Sequence, residues 1–318
     1  MNRRCFLPLL LALLLTGCSG QTDSTAPTEP MTETEAETEA LTEAPTEAPV
    51  DDPEEAAYAF IRETLVPRYG LSKPWTPVQP ITYTETGFTC EDLPAETQGL
   101  ISAVVQDFDG NGEPEIVTLM LKEHSFILDL YCPFDGTYAL SDVYPFLTYW
   151  DNVSYNPKLR IQDDLLLLTN YPLTCDPAHE QDAAFTAMCQ DLYLGDMPDV
   201  ACVSAELTVL RVVGDDFKEQ AVIRNSLTPG KETFSANGEE ITCAVGEMDY
   251  GKTKSLVSKA LNDAGVQFDP GSLYTDWYSS EPHDGLSIDF TNAEPVFEIN
   301  HGNQTLFTDY TDLDDHIS

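Results

Sequence analysis

The 318-residue sequence predicts a β-rich α+β fold, in which antiparallel hairpins are joined by two or three peripheral helices. After residue 50, apolar runs of strand length alternate with short turn signals along most of the chain. Asp135-Gly136 and Asn237-Gly238 are dipeptides that favour two-residue hairpin loops, and each lies between two apolar runs. Few stretches place apolar residues at helical spacing, so strands should outnumber helices.

The first 18 residues have the features of an export signal. Arg3 and Arg4 are followed by the apolar run Phe6–Leu15, which is too short to cross a bilayer core of about 30 Å. The sequence Leu-Thr-Gly-Cys ends at Cys18 and resembles the bacterial lipobox. The resemblance implies that residues 1–17 are a lipoprotein signal peptide, and that an acylated Cys18 anchors an extracytoplasmic protein to the bacterial cell membrane. The alternative is ordinary signal cleavage beside an incidental cysteine.

Residues 18–50 are predicted to be a disordered tether. From position 19 to position 49 the chain is dominated by Thr, Glu, Ala and Pro, and it contains no aromatic residue, Lys or Arg. Such a segment cannot bury enough apolar surface to offset its ordering entropy, and like charges keep it extended. The tether should hold residues 51–318, an extracytoplasmic β-rich domain with a possible division near residue 150, away from the membrane.

A helix is predicted at the start of that domain. Asp52 suits an N-cap and Pro53 suits the first turn. Apolar residues then follow at helical spacing as far as Leu65, and Pro67 is expected to end the helix.

An acidic loop lies between two β-branched apolar runs, Leu100–Val105 and Ile116–Leu121. Side chains with oxygen atoms occupy every second position of the loop, namely Asp107, Asp109, Asn111, Glu113 and Glu115. This spacing suits a hard cation such as Ca²⁺, which takes 6–8 oxygen ligands. An EF-hand would carry Glu at the twelfth position between two helices, whereas this loop has Thr118 there and strand-like flanks. The alternative is an acidic turn without a metal.

The pattern Asp-x-Asp-x-Asn-Gly-x-x-Glu between strands resembles the FG-GAP/VCBS-type calcium loop of integrin α-like β-propellers and of many bacterial secreted proteins. The resemblance implies a chiefly structural Ca²⁺ held by the side chains of Asp107, Asp109, Asn111 and Glu115 and by the backbone carbonyl of Glu113. Two further runs, Ser125–Tyr131 and Thr137–Tyr144, extend the likeness to one four-stranded propeller blade. Because the loop occurs once, a blade-like unit in a mixed fold is predicted, and not a propeller.

The rest of the chain adds one buried strand region, three hairpins and helices. The predicted strand region is Leu159–Thr169, and the predicted hairpin strands are Ala205–Val213 with Phe217–Asn225, Glu232–Ala236 with Glu239–Ala244, and Val296–Asn300 with Gln304–Tyr310. The pattern favours a helix over Lys252–Ala264, which Gly265 should end, and a short helix over Gln181–Leu192.

Charge and cysteines restrict the possible partners. The formal charge is −40, and most of it lies beyond the tether, so nucleic acid should be repelled. The six cysteines after Cys18, at positions 90, 132, 175, 189, 202 and 243, permit three disulfides in an exported protein. The sequence has no Cys-x-x-Cys, so zinc ribbons and thioredoxin-type redox sites lack support.

Residues 246–253 fit the phosphate-loop pattern Gly-x-x-x-x-Gly-Lys-Thr. Glu247 and Asp249 would place carboxylates beside the phosphates, and no parallel βαβ pattern surrounds the segment, so a helix N-terminus without nucleotide is predicted. The chain also lacks His-Glu-x-x-His, Gly-x-Ser-x-Gly and Ser-x-x-Lys, and no catalytic residue is assigned.

These features favour a surface-anchored lipoprotein with a structural Ca²⁺ loop, acting without catalysis as an adhesion module or as a binder of a protein or glycan ligand. The alternative is an extracytoplasmic hydrolase acting on glycan or peptide, which would need two carboxylates with perturbed pKa values in one pocket.

Overall fold

A computed structural model describes residues 52–73, 81–84, 87–90, 98–122, 125–148, 153–154, 158–175, 185, 200–277, 285–300 and 305–309. The predicted signal peptide, Cys18 and the tether lie outside these ranges. No helix within them is long and apolar enough to cross a membrane.

Strands dominate the described chain, which confirms the predicted β-rich α+β class. The strands are β1 Ile81–Thr84, β2 Gly87–Cys90, β3 Gly99–Gln106, β4 Glu115–Lys122, β5 Ser125–Phe134, β6 Thr137–Thr148, β7 Val153–Ser154, β8 Lys158–Gln162, β9 Leu165–Asn170, β10 Pro172–Cys175, β11 Val200–Val213, β12 Asp216–Thr228, β13 Lys231–Ala236, β14 Glu239–Cys243, β15 Glu294–Asn300 and β16 Thr305–Asp309.

The first sheet contains four consecutive antiparallel strands in the order β3-β4-β5-β6, so the predicted four-stranded unit is confirmed. Asp135 and Gly136 join β5 to β6 with positive φ angles of 49° and 75°, as expected of a two-residue hairpin turn. β4 has neighbours on both sides and is buried along almost all its length.

The second sheet follows the order β14-β13-β12-β11-β9-β8-β15-β16, with β10 pairing with β11 and with β7. Its strands β8, β9, β11, β12 and β15 share a core with the first sheet, in which Leu128 and Leu130 pack in one cluster with Leu166, Leu210 and Phe297. Residues on both sides of position 150 therefore contribute to a single core.

Helix α3, Tyr250–Ala264, covers the opposite face of the second sheet. Its residues Val257 and Leu261 are buried in one cluster with Ile223 and Phe234. The helix begins two residues before the predicted start, because the Asp249 carboxylate accepts a hydrogen bond from the backbone N–H of Lys252 and caps the helix.

Three short helical segments pack on the outer face of the first sheet. They are α1 Pro53–Phe60, a π-helical turn Ile61–Leu65, and α2 Val66–Tyr69. The expected stop at Pro67 was wrong by two residues. Pro67 lies in the first turn of α2, directly after the wider π turn, where the lack of a backbone N–H is tolerated. Of the proposed helix Gln181–Leu192, only Phe185 is described, and it is helical and buried.

The cysteines differ from the disulfide framework that the sequence allows. Cys132, Cys202 and Cys243 are free thiols, so three of the six candidate cysteines form no bridge. Cys132 lies in the core shared by the sheets, and Cys202 faces Thr174 across the β10–β11 pair. The side chains of the other three lie outside the described residues.

Candidate functional site

The acidic loop spans the eight residues between β3 and β4. Gln106 and Glu115 are paired across the two strands, so the hairpin closes directly below the loop. All the predicted ligands except Glu115 therefore lie on the connection itself, whereas Glu115 is the first residue of a buried strand.

Asp107 organises the first half of the loop. Its Oδ1 accepts a hydrogen bond from the N–H of Gly110 at 2.8 Å, and its Oδ2 accepts one from the N–H of Gly112 at 2.9 Å. Both glycines have positive φ, 78° and 92°, which turns the backbone back towards Asp107.

Asp109 and Asn111 stabilise the next two turns in the same way. The Asp109 Oδ1 accepts from the N–H of Asn111 at 3.0 Å, and the Asn111 Oδ1 accepts from the N–H of Glu113 at 2.7 Å. A short polar side chain that accepts from the backbone two residues later forms an Asx turn. The loop conformation is thus built from its own side chains.

Glu115 differs from the other loop acids because it is only 1% exposed. Its Oε2 accepts a hydrogen bond from the backbone N–H of Phe108 at 2.8 Å, and the Phe108 ring lies in the core between the sheets. Burial is the main cause that raises the pKa of the Glu115 carboxyl, and the negative charges of Asp109 and Asp107 add to it, whereas the Phe108 N–H opposes the rise.

Three of the five predicted ligands converge. Asp107, Asp109 and Glu115 each place a carboxylate oxygen within 4.8 Å of the other two. Glu113 is exposed and its carboxylate is not part of this cluster, so the role of its backbone carbonyl stays a prediction. The amide oxygen of Asn111 lies on the same loop and already accepts one hydrogen bond. The donor set is therefore made of oxygens alone, the type that hard divalent cations prefer.

A second polar feature lies where β6 of the first sheet meets β9, β11 and β12 of the second. It is a groove of about 200 Å³ that contains two carboxylates, Glu206 and Glu219. Arg224 Nε contacts Glu206 Oε1 at 2.7 Å, and Tyr144 Oη donates to Glu219 Oε1 at 2.9 Å. Both carboxylates therefore already have partners.

Burial perturbs the titration of this groove. It is the main cause that raises the pKa of Tyr144 to about 12, and the Glu219 carboxylate contributes further. Burial also raises the pKa of Glu206, although the Arg224 guanidinium opposes that rise.

Neither Glu206 nor the fully buried Glu232 belongs to a sequence motif, but weaker signals mark both. Glu206 lies directly opposite Arg224 in the β11–β12 pair, so it would be found by looking for complementary charges across a predicted hairpin. Glu232, Phe234 and Ala236 occupy alternate positions of β13 and therefore lie on the same face of the strand. A charged residue at a position that alternation assigns to the buried face is the signal for Glu232.

Comparison of the chain with protein-family models, with curated proteins and with solved structures finds no match. What the loop can do therefore follows from its own chemistry. Its three converging carboxylates accept hydrogen bonds or bind a cation, and their mutual repulsion falls when a positive charge lies between them.

Proposed function

We propose that the chain is a bacterial lipoprotein, anchored outside the cytoplasm through an acylated Cys18, that binds Ca²⁺ at the loop Asp107–Glu115 and acts by ligand binding or adhesion. The observation that carries the cation site is the convergence of the Asp107, Asp109 and Glu115 oxygens within 4.8 Å. The lipobox-like sequence ending at Cys18 and the acidic segment after it support the location.

Calcium suits this loop better than magnesium. Ca²⁺ accepts 6–8 oxygens in flexible geometry, whereas Mg²⁺ requires a near-ideal octahedron with shorter bonds. Three carboxylates, the amide oxygen of Asn111 and the carbonyl of Glu113 supply a varied oxygen set on one short loop. The backbone hydrogen bonds accepted by Asp107 pre-form the turn, so little ordering is left for the ion to impose.

A structural role for the ion follows from where the loop lies. Phe108 extends from the loop into the core shared by the two sheets, and Glu115 begins the central strand β4. An ion that binds only the folded loop stabilises the whole protein by mass action, about 2.7 kcal/mol at a free concentration of 100 times Kd.

The test is the thermal unfolding of the mature chain with Ca²⁺, with Mg²⁺ and with chelator. Ca²⁺ should raise Tm more than Mg²⁺ does, and Asp109→Ala should abolish the rise. Asp215→Ala, in the exposed β11–β12 turn, is the matched control and should keep it. Identical melting curves in Ca²⁺ and chelator would contradict the proposal.

The second candidate is a hydrolase acting on glycan or peptide, and its two carboxylates would be Glu206 and Glu219 in the groove. Both carboxylates are already engaged, and a space of about 200 Å³ is smaller than the ~300–1,000 Å³ of typical ligand pockets. Turnover of a glycan or peptide by the mature protein that is lost in Glu219→Gln would support this candidate over pure binding.

A further inference from the structure

A pocket of about 210 Å³ lies on the same side of the second sheet as helix α3, between β8, β9, β11 and residues 286–290. The strand register places Lys158, Thr169 and Leu207 in one row across these three strands. Arg160 is two residues from Lys158 on β8, and residues two apart on a strand share a face. Both basic residues therefore line the same pocket.

Hydrogen bonds hold the wall that residues 286–290 form. The Ser287 N–H donates to the Tyr274 carbonyl oxygen at 2.9 Å, and the Tyr274 N–H donates to the Ser287 carbonyl oxygen at 2.9 Å. The Tyr171 hydroxyl, from the connection after β9, donates to the Leu286 carbonyl oxygen at 3.1 Å. The pocket is therefore pre-formed, and a ligand need not order its walls.

Arg160 is the unusual residue of this pocket. The chain has 55 Asp and Glu residues against 15 Lys and Arg, so acidic partners for a basic side chain are abundant. Elsewhere in the second sheet, Arg211 pairs with Asp164 at 3.2 Å. Arg224 likewise pairs with Glu206 at 2.7 Å. The half-buried Arg160 forms no ion pair with any residue that the structure describes, which favours an anionic partner from outside the chain.

Two acidic residues also line the pocket, but neither compensates the charge of Arg160. Glu206 is already paired with Arg224. Asp289 is exposed, and its carboxylate forms no ion pair with Arg160. The Thr169 hydroxyl oxygen is buried and has no hydrogen-bond partner within the described ranges. The pocket thus combines an uncompensated positive charge with a hydroxyl that is available to donate a hydrogen bond.

These groups match a carboxylate attached to an apolar group. A guanidinium offers its N–H donors in a planar fork that binds both oxygens of a carboxylate. Lys158 adds a second positive charge to the pocket, and Thr169 adds its hydroxyl. Leu286 and Phe290 line the same space and provide apolar surface for a neighbouring aliphatic side chain. A volume of about 210 Å³ is below the ~300–1,000 Å³ of typical ligand pockets, so it suits one terminal residue.

We propose that this pocket binds the C-terminal carboxylate of a peptide or protein whose last residue is apolar. Arg160 receives both carboxylate oxygens, and the side chain of the last residue packs against Leu286 and Phe290. The inference gives a ligand class to the binding role proposed above and rests on that role, but it does not depend on the Ca²⁺ loop.

The test is isothermal titration calorimetry of the mature chain with N-acetylated Ala-Ala-Leu and with its C-terminal amide, both with chelator present. The free acid should bind, and the amide should bind at least about tenfold more weakly, because it lacks the charge that Arg160 receives. Arg160→Gln should weaken binding of the free acid by a similar factor. Lys231→Gln, which removes an exposed positive charge at the start of β13, is the matched control and should leave the affinity unchanged.

Circular dichroism shows whether each variant is folded. Arg160→Lys keeps the charge but loses the planar fork, and it replaces Arg160→Gln if that variant does not fold. Equal affinity for the acid and the amide, no binding of either, or an unchanged affinity in the Arg160 variant overturns the proposal. Tighter binding of glucuronate than of the peptide also overturns it and assigns the pocket to acidic sugars.

Asp109→Ala separates this inference from the Ca²⁺ site. The variant should lose the rise of Tm with Ca²⁺ and keep its affinity for the peptide. Peptide binding by a wild type whose Tm does not respond to Ca²⁺ supports the pocket and contradicts the loop. A Ca²⁺ response without peptide binding supports the loop and overturns the pocket.

Discussion

Gln106 donates a hydrogen bond from its Nε2 to the backbone carbonyl oxygen of Asp163, at 2.6 Å. Gln106 is the last residue of β3 and directly precedes Asp107, whereas Asp163 lies in the turn between β8 and β9. The bond therefore joins the base of the acidic loop, in the first sheet, to a turn of the second sheet. The position of the loop depends on contacts between the sheets as well as on its own turns.

This link gives the first prediction. Gln106→Ala should lower the free energy of unfolding by about 1 kcal/mol, the usual net contribution of one hydrogen bond. Urea unfolding with chelator present measures the effect without the ion. Gln220→Ala is the control and should lower the free energy of unfolding less, since among the described residues that side chain bonds to the nearby carbonyl of Lys218, two residues away. If both variants lower the free energy of unfolding equally, the hydrogen bond between the sheets stabilises the protein no more than a local one does.

The second prediction concerns Gly112, whose φ of 92° lies in the region that side chains rarely adopt. An added Cβ would meet no atom within 4 Å, so Gly112→Ala should cost only backbone strain, about 1–2 kcal/mol. It should also weaken Ca²⁺ binding, because the Gly112 N–H positions Asp107. Gly251→Ala in helix α3, where φ lies outside the left-handed region and the added Cβ meets only the Asp249 side chain, at 3.3 Å, is the control for urea unfolding and Ca²⁺ titration. Equal stability of the two variants would contradict this account of the turn.

The third prediction is a pH dependence in the groove. Burial raises the pKa of Glu206 in the folded state above its ordinary value of about 4.5, so the folded state holds the proton more tightly than the unfolded state does. The resulting stabilisation is complete below about pH 4.5 and is lost as the pH rises through the raised pKa.

Glu206→Gln removes this titration, so its unfolding free energy relative to wild type should increase between pH 4 and pH 7. Urea unfolding at several pH values measures the difference, with the exposed variant Glu240→Gln as the control. A relative stability that falls over this range would show that the ion pair with Arg224 outweighs the burial of Glu206.

Local signals explain why much of the fold was predictable. Asp135-Gly136 and Asn237-Gly238 adopt the positive φ angles that their residue types favour, and the apolar runs beside them form the expected hairpins. The spacing of Asp107, Asp109 and Glu115 likewise allows their convergence, because the three residues lie on one short connection.

Other features depend on residues that are distant in sequence. The burial of Glu115 requires Phe108 to enter a core formed with the second sheet, and no local pattern specifies that packing. The alternation of apolar residues along β13 places Glu232 on the buried face. Its neighbours Asn225 and Asp276, however, come from another strand and from the segment after helix α3. The free thiols also follow from tertiary placement, which cysteine counts do not predict.

The last prediction concerns Asp129, which is fully buried in the middle of the first sheet. Its Oδ2 accepts from the Lys122 Nζ at 2.6 Å, and its Oδ1 has no partner among the described residues. Removing only the cation leaves the buried charge with one long hydrogen bond, from the Tyr131 hydroxyl at 3.5 Å, so Lys122→Met should destabilise the protein by about 3 kcal/mol. Removing both charges in Lys122→Met/Asp129→Leu should cost clearly less, because no ion then remains in an apolar environment.

A double-mutant cycle followed by urea unfolding measures this difference. The exposed pair Lys218–Asp216 is the control, and its cycle should give at most about 1 kcal/mol, because water screens both charges. The Lys122 Nζ also lies 5.3 Å from the centre of the Tyr69 ring, so the lysine side chain packs there. If Lys122→Met and the double variant lose the same stability, the loss of this packing explains the cost better than the buried charge does.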